Sequence, residues 1–319
     1  MISINRTSSV TFEIAAYIKS LRTSTTDVSH FLFDTTRKVE AVGSNCKLLV
    51  AYESGVIIGI LVYKAITING RSYVNIVMAD GNETALTELM IVFMDLTVNK
   101  PNDVVGVNTN LISTDASIVP HLAKQGFKRT VAVYSTLVDS LQSRLPPEPP
   151  PTYTLFRPES KQPDRKVFTD LLLDYDIRSA EYKNASIGRY VHKTTLRNNR
   201  TQSIRISYFI DSVLKSGNWR VYLLYKTKTP IGFIKWRFDR KASGFGKDQY
   251  LNGICSPDLF IKAEYFDEYA GSALRLFVDE LSTTPNAKYV YDTADISDKM
   301  KLAACNRWYG KALGYSYFL

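Results

Sequence analysis

Lys47-Leu-Leu-Val-Ala-Tyr-Glu-Ser-Gly-Val-Ile-Ile-Gly59-Ile-Leu-Val62 reads as two apolar strands around a tight turn, with Ser54-Gly55 supplying the turn. The chain contains the same design again in Val221-Tyr-Leu-Leu-Tyr-Lys-Thr-Lys-Thr-Pro-Ile-Gly232-Phe-Ile-Lys-Trp236. Gly59 and Gly232 hold the same place, 173 positions apart, which makes duplication the organising hypothesis.

Working outward, the order of elements repeats. Met1-Ile-Ser-Ile-Asn is an extended opening followed by a helical pattern in Phe12-Glu-Ile-Ala-Ala-Tyr-Ile, and Tyr153-Thr-Leu-Phe-Arg157 is followed by one in Val167-Phe-Thr-Asp-Leu-Leu-Leu. After the hairpins, Tyr73-Val-Asn-Ile-Val-Met leads into a helix over Thr84–Leu96, and Asp258-Leu-Phe-Ile-Lys leads into one over Gly271–Leu281. Val104-Val-Gly-Val-Asn and Tyr289-Val-Tyr-Asp read as the next, buried strands. Each half then closes with a helix ended by a glycine and an aromatic, Gly126-Phe127 and Gly314-Tyr315, a sequence suited to a left-handed C-cap. The offset grows to 188 there, which places about 15 extra residues of the second half in the Gly-rich loop Asp239–Gly253.

Between the halves lies PPEPPP at Pro146–Pro151. Prolines lack the amide donor and clash with a preceding helical turn, so this stretch is extended and semi-rigid. The expected organisation is an N-terminal domain at 1–145, a linker at 146–151 and a C-terminal domain at 152–319. The fold class is α/β (α+β), each domain a mixed, mostly antiparallel twisted sheet flanked by helices.

This order resembles the GNAT superfamily of N-acyltransferases. The residues that carry the likeness in the second half are Arg157-Pro158, Ile231-Gly232-Phe233, Gly271-Ser272-Ala273-Leu274 and Asn306-Arg-Trp-Tyr309-Gly-Lys311. The resemblance implies an acyl-CoA pyrophosphate loop written Gln/Arg-x-x-Gly-x-Gly/Ala, whose bare amides hold the anion at a helix N-terminus. Aligned on Gly271, the loop here is Phe266-Asp267-Glu268-Tyr269-Ala270-Gly271, and Gly271, Ser272 and Ala273 are the remnant of a cofactor site. Asp80-Gly-Asn-Glu-Thr-Ala85 stands at the same point of the first half without the pattern. The resemblance also places Tyr309 as the acid for a departing thiolate, with Asp258 and Glu264 as candidate bases; the first half has Leu122 in place of the tyrosine. His121 reads as a surface or helix-end residue.

The net charge of +9 is uneven: residues 1–145 carry 13 Lys/Arg against 12 Asp/Glu, and residues 146–319 carry 27 against 19. Arg189, His192, Lys193, Arg197, Arg200 and Arg205 form a basic cluster, read either as a solvated helix face or as a surface for nucleic acid, an acidic protein or a phosphorylated ligand. Cys46, Cys255 and Cys305 are widely spaced and suggest neither a disulfide framework nor a zinc site; no metal is expected. The N-terminus has no apolar signal core and no apolar run is long enough to span a bilayer, so the expected location is cytoplasmic or within a viral particle, without secretion by a signal peptide.

With the acyl-CoA loop degraded in both halves, the expected function is a binding or structural assembly module with protein partners, and no cofactor. The alternative is an N-acyltransferase active through its C-terminal domain, with acyl-CoA or aminoacyl-tRNA as donor.

Overall fold

The computed structural model describes residues 2–20, 46–68, 71–97, 104–109, 118–150, 152–157, 160, 162–187, 207–208, 210–211, 219–237, 254–255, 257–283, 289–312 and 314–318. The chain forms two compact units, Met1–Ala132 with Leu313–Leu319, and Val133–Ala312.

The first unit runs β1 (Ile2–Thr7), α1 (Phe12–Ser20), β2 (Cys46–Glu53), β3 (Val56–Ile68), β4 (Arg71–Gly81), α2 (Glu83–Thr97), β5 (Val104–Thr109), α3 (Val119–Lys124) and the start of β6 (Lys128–Leu137). Its sheet has the order β1-β2-β3-β4-β5-β13-β6, where β13 (Gly314–Phe318) returns from the far end of the chain to pair antiparallel with β5. Successive side chains of a strand point to opposite faces, and β2 uses both. Leu48 and Val50 join Ile14 and Ile18 of α1 in one core, while Leu49 and Ala51 join Leu86, Leu89 and Phe93 of α2 in the other. Two covered faces explain why these strands read as unbroken apolar runs.

The second unit runs from the end of β6 through α4 (Val138–Arg144), β7 (Tyr153–Leu155), α5 (Gln162–Ile187), β8 (Trp219–Lys226), β9 (Thr229–Arg237), β10 (Ile254–Cys255), β11 (Pro257–Ile261), α6 (Phe266–Ser282), β12 (Tyr289–Asp295) and α7 (Lys299–Tyr309). One sheet has the order β11-β9-β8-β7, and the end of β6 lies beside β12, whose other neighbour is β10. On one face of the first sheet, Phe168, Leu171 and Leu172 of α5 bury Val221, Leu223, Phe233 and Phe260. Trp236, of opposite parity, meets Phe277 of α6 with ring centroids 5.3 Å apart.

The glycine correspondence read from the hairpins is structural. Gly59 pairs with Gly81, the last residue of β4, and Gly232 pairs with Ile261, the last residue of β11. A Cβ on Gly232 would stand 2.2 Å from the Phe260 carbonyl oxygen, and one on Gly59 would stand 2.8 Å from the Ala85 Cβ at the start of α2. At the Ser54-Gly55 turn both residues have positive φ, 50° and 81°, as a tight hairpin requires.

Four expectations change. α6 begins at Phe266, five residues before Gly271. The closing helix of the second unit ends at Tyr309 with Gly310 as its cap, φ 86°, so Gly314 opens β13 instead of capping a helix. The proline segment is no free spacer at its start: a Cβ on Gly271 would lie 2.9 Å from the Pro146 ring, so Pro146 packs on α6 within the second unit. His121 is buried at 4% exposure, its Nδ1 3.3 Å from the Thr87 hydroxyl.

Candidate functional site

The distinctive local feature of the second unit is a strand that changes partners. Ile254 and Cys255 pair in parallel with Tyr289 and Val290 of β12, whereas Pro257–Ile261 pairs with β9. β12 therefore continues past Val290 after β10 has ended, and α6 and α7 start beyond the carboxyl ends of β11 and β12. In open α/β sheets that is where ligands bind.

Asp292 lies on this continuing stretch of β12 and is buried. On α7, Lys301, Cys305 and Tyr309 recur every fourth residue, so they share one face. Lys301 Nζ stands 3.1 Å from Asp292 Oδ1, which also accepts from the Thr293 amide at 2.7 Å, and Cys305 Sγ is 4.0 Å from Oδ2. Burial raises the Asp292 carboxyl, partly countered by the Lys301 charge. Burial works to lower Lys301, but the Asp292 charge and hydrogen bond, together with Cys305 and Tyr175, outweigh it and hold the ammonium above its ordinary value. Burial, then the Asp292 charge, pushes the Cys305 thiol and the Tyr309 hydroxyl up. The set is an ion pair with two neutral neighbours.

A second cluster sits on the α5 side of the sheet. Lys235 of β9 is opposite Asp258 of β11 and bonds to its carboxylate. The ammonium is 5.0 Å from the Trp219 ring centroid and 6.0 Å from that of Tyr175. The Asp258 charge, then burial, raises the Tyr175 hydroxyl. Arg178, one turn further along α5, donates to the Ile261 carbonyl at 2.9 Å and lies 4.0 Å from Asp298, the N-cap of α7.

The candidate residues fall as follows. Tyr309 is the last residue of α7, 4% exposed, and its enclosed hydroxyl has Asp292 as its polar neighbour without a hydrogen bond of good geometry among the described residues. Asp258 is held by Lys235, and Glu264 is exposed in the 3-10 turn Ala263–Tyr265. The remnant Gly271, Ser272 and Ala273 lies inside α6, with Gly271 and Ala273 buried. Arg189, His192, Lys193, Arg197, Arg200 and Arg205 lie outside the described residues. Asp292 and Lys301 were missed from the sequence. The signal was an acid in the apolar strand Tyr289-Val-Tyr-Asp292 followed by a helix with polar residues at a spacing of four.

A cavity of about 260 Å³ opens beside the first turn of α6 and along α7. Phe266, Met300, Ala303, Ala304 and Trp308 give it an apolar lining, and Asp267, Lys299 and Arg307 contribute charge.

In the first unit the equivalent place is closed. A single residue, Asn82, joins β4 to α2, and its Oδ1 accepts from the Ala85 amide at 2.8 Å. Asn82 itself donates to the Ile58 carbonyl at 3.2 Å.

Two tandem copies of strand, helix, hairpin, strand, helix, strand, helix and strand define a tandem GNAT-like fold. Among solved structures, a fungal GCN5-related glucosamine N-acetyltransferase region of a multi-domain β-N-acetylglucosaminidase is 10% identical. All of this chain and 38% of that one are covered, at a TM-score of 0.50. A tandem GNAT protein of the clavulanic acid biosynthesis pathway is 10% identical over 100% of this chain and 98% of its own, with a TM-score of 0.44. A GNAT-family acetyltransferase from Colwellia psychrerythraea is 10% identical over 99% and 98%, with a TM-score of 0.48. The first likeness carries the fold alone. No protein-family model and no curated protein sequence matches the chain.

Among the described residues no helix is long and apolar enough to cross a membrane.

Proposed function

We propose that this chain is a duplicated GNAT-fold protein that has lost acetyl-CoA catalysis and serves as a binding or structural assembly module with a protein partner, a component of a viral particle being one such setting. The observation that carries this reading is the state of the backbone between β11 and α6. An anion cradle needs uncommitted amides at a helix start. Here the Lys262 amide donates to the Ile231 carbonyl, Tyr265 to Lys262, and Phe266 to Ala263. No glycine lies between Ile261 and Tyr269, and Glu264, Asp267 and Glu268 add three carboxylates where a pyrophosphate would sit. These residues do not fit the group. Tyr309 supports the same reading, because an acid must reach the departing thiolate and its hydroxyl is enclosed.

The test is calorimetric titration of the full chain with acetyl-CoA. No saturable heat is expected, together with copurification at fixed stoichiometry with a partner protein. Saturable binding by a monomeric protein would overturn the proposal.

A second reading draws on the cavity beside α6 and α7, whose Lys299 and Arg307 could meet an anionic donor. It keeps the second unit as an N-acyltransferase using acyl-CoA or aminoacyl-tRNA. An aminoacyl-tRNA donor would bind with a steep salt dependence, and absent or salt-insensitive binding of tRNA excludes it.

A further inference from the structure

A lysine in a sheet has no need of aromatic walls. Lys235 could be neutralised at the surface by its cross-strand neighbour Asp258 alone, yet its side chain is only 10% exposed while that of Asp258 is 44% exposed. Among the described residues, the Asp258 carboxylate, the Trp219 ring at 5.0 Å and the Tyr175 ring at 6.0 Å converge on the ammonium. An anionic group with aromatic faces at these distances is the chemistry that recognises alkylammonium ions. One wall is fixed in advance, since Tyr175 meets Phe233 and Phe260 edge-on at 5.7 and 5.9 Å.

We infer that Tyr175, Trp219 and Asp258 form an alkylammonium-binding site which Lys235 fills in cis, so that the chain carries its own competitor for a cationic ligand such as an amine or a lysine side chain. This goes beyond the proposed loss of acyl transfer and does not depend on it. Lys235 reaches the site from β9, the strand paired with the one that bears Asp258, so the occupant and the wall are set by a single register.

Lys235→Ala removes three carbons and the ammonium, the outline of n-propylammonium, which is the probe. Propylammonium should raise the thermal midpoint of the full-length variant saturably. At ten times its dissociation constant the folded state gains about 11-fold over the unfolded, a shift of about 3–6 °C for a unit of this size. Propanol should give no such shift, and the unmodified protein should not respond to propylammonium. Equal effects of propylammonium and propanol, or an equal response of the wild type, would overturn the inference. The native protein supplies a second measurement that needs no variant to fold. Under reductive methylation read by mass spectrometry, Lys235 should react about ten-fold or more slowly than the exposed Lys228. Equal rates would show that the cage is empty in solution.

Discussion

Replacing Lys301 by Met removes the cation from a carboxylate that stays inside the protein. The Asp292 side chain is 9% exposed and its partner is 3.1 Å away. At that separation the attraction is about 5 kcal/mol with an effective dielectric constant near 20, much of it offset by the cost of removing both charges from water. The loss on breaking such a pair is about 3–5 kcal/mol, and the quarter-exposed Lys301 side chain puts the expected value near the lower end. Pairing Lys301→Met with Asp292→Asn removes both charges and keeps an acceptor for the Thr293 amide, so most of the loss should return. The assay is urea unfolding followed by tryptophan fluorescence, which isolates the second unit because Trp219, Trp236 and Trp308 all belong to it. The single variant also has a signed pH dependence. Burial already holds the folded Asp292 carboxyl above its ordinary value, and losing the lysine raises it further. The folded state then binds a proton more tightly than the unfolded one, so the variant recovers stability as the pH falls through that raised value toward the ordinary carboxylate range. A loss under about 1 kcal/mol, or a double variant as unstable as the sum of the singles, would refute the picture of a desolvated pair.

Tyr309→Phe should change stability by no more than about 1 kcal/mol, since the enclosed hydroxyl faces Asp292 without a hydrogen bond of good geometry; a loss above about 2 kcal/mol on the same urea assay would show that the hydroxyl is firmly bonded. Gly232→Ala should cost about 3 kcal/mol, because its Cβ would press on the Phe260 carbonyl oxygen. Gly55→Ala has nothing within 4 Å and should cost only the left-handed φ, about 1 kcal/mol, by differential scanning calorimetry. Tyr175, Tyr291 and Tyr309 have raised values in the folded protein, and Tyr17 in the first unit is pushed up to about 12, by burial first and then the Asp80 charge. Their contribution is therefore fully present below the ordinary tyrosine range and is lost as pH climbs through the raised values. Absorbance titration at the phenolate band should show these tyrosines ionising only with unfolding.

The duplication was legible because both hairpins keep a glycine where a Cβ does not fit. At Gly232 the obstacle is the backbone at the end of β11 and at Gly59 it is the Ala85 methyl at the start of α2, and both leave the same mark in the local sequence. The first closing helix was also readable, since Gly126 with φ 85° and buried Phe127 follow it directly. What could not be read depends on contacts far apart in sequence. Gly271 reads as the last position of an anion loop and the first of the helix, but its smallness serves the Pro146 ring, 125 positions earlier. The division expected at the prolines follows composition, whereas the compact units divide within β6, between Ala132 and Val133. At the site, Asp258 and Tyr309 were picked out as reactive groups. Their surroundings, the Lys235 ammonium and the enclosed face of α7, are set by strand register and helix packing.

The path of β13 bears on how the protein is made. The sheet of the first unit has β13 between β5 and β6, yet that strand is translated only after Val133–Ala312. At about 5–20 residues per second, the ribosome takes about 10–40 s to supply it. During that interval β5 and the first half of β6 lack the strand that separates them, and unpaired edges invite association with other chains. Domains often complete themselves from the N-terminus as they emerge; here the first to emerge is the last to close. Nascent chains arrested before Gly314 should leave β5 open to protease, with protection gained only once Phe318 has cleared the exit tunnel.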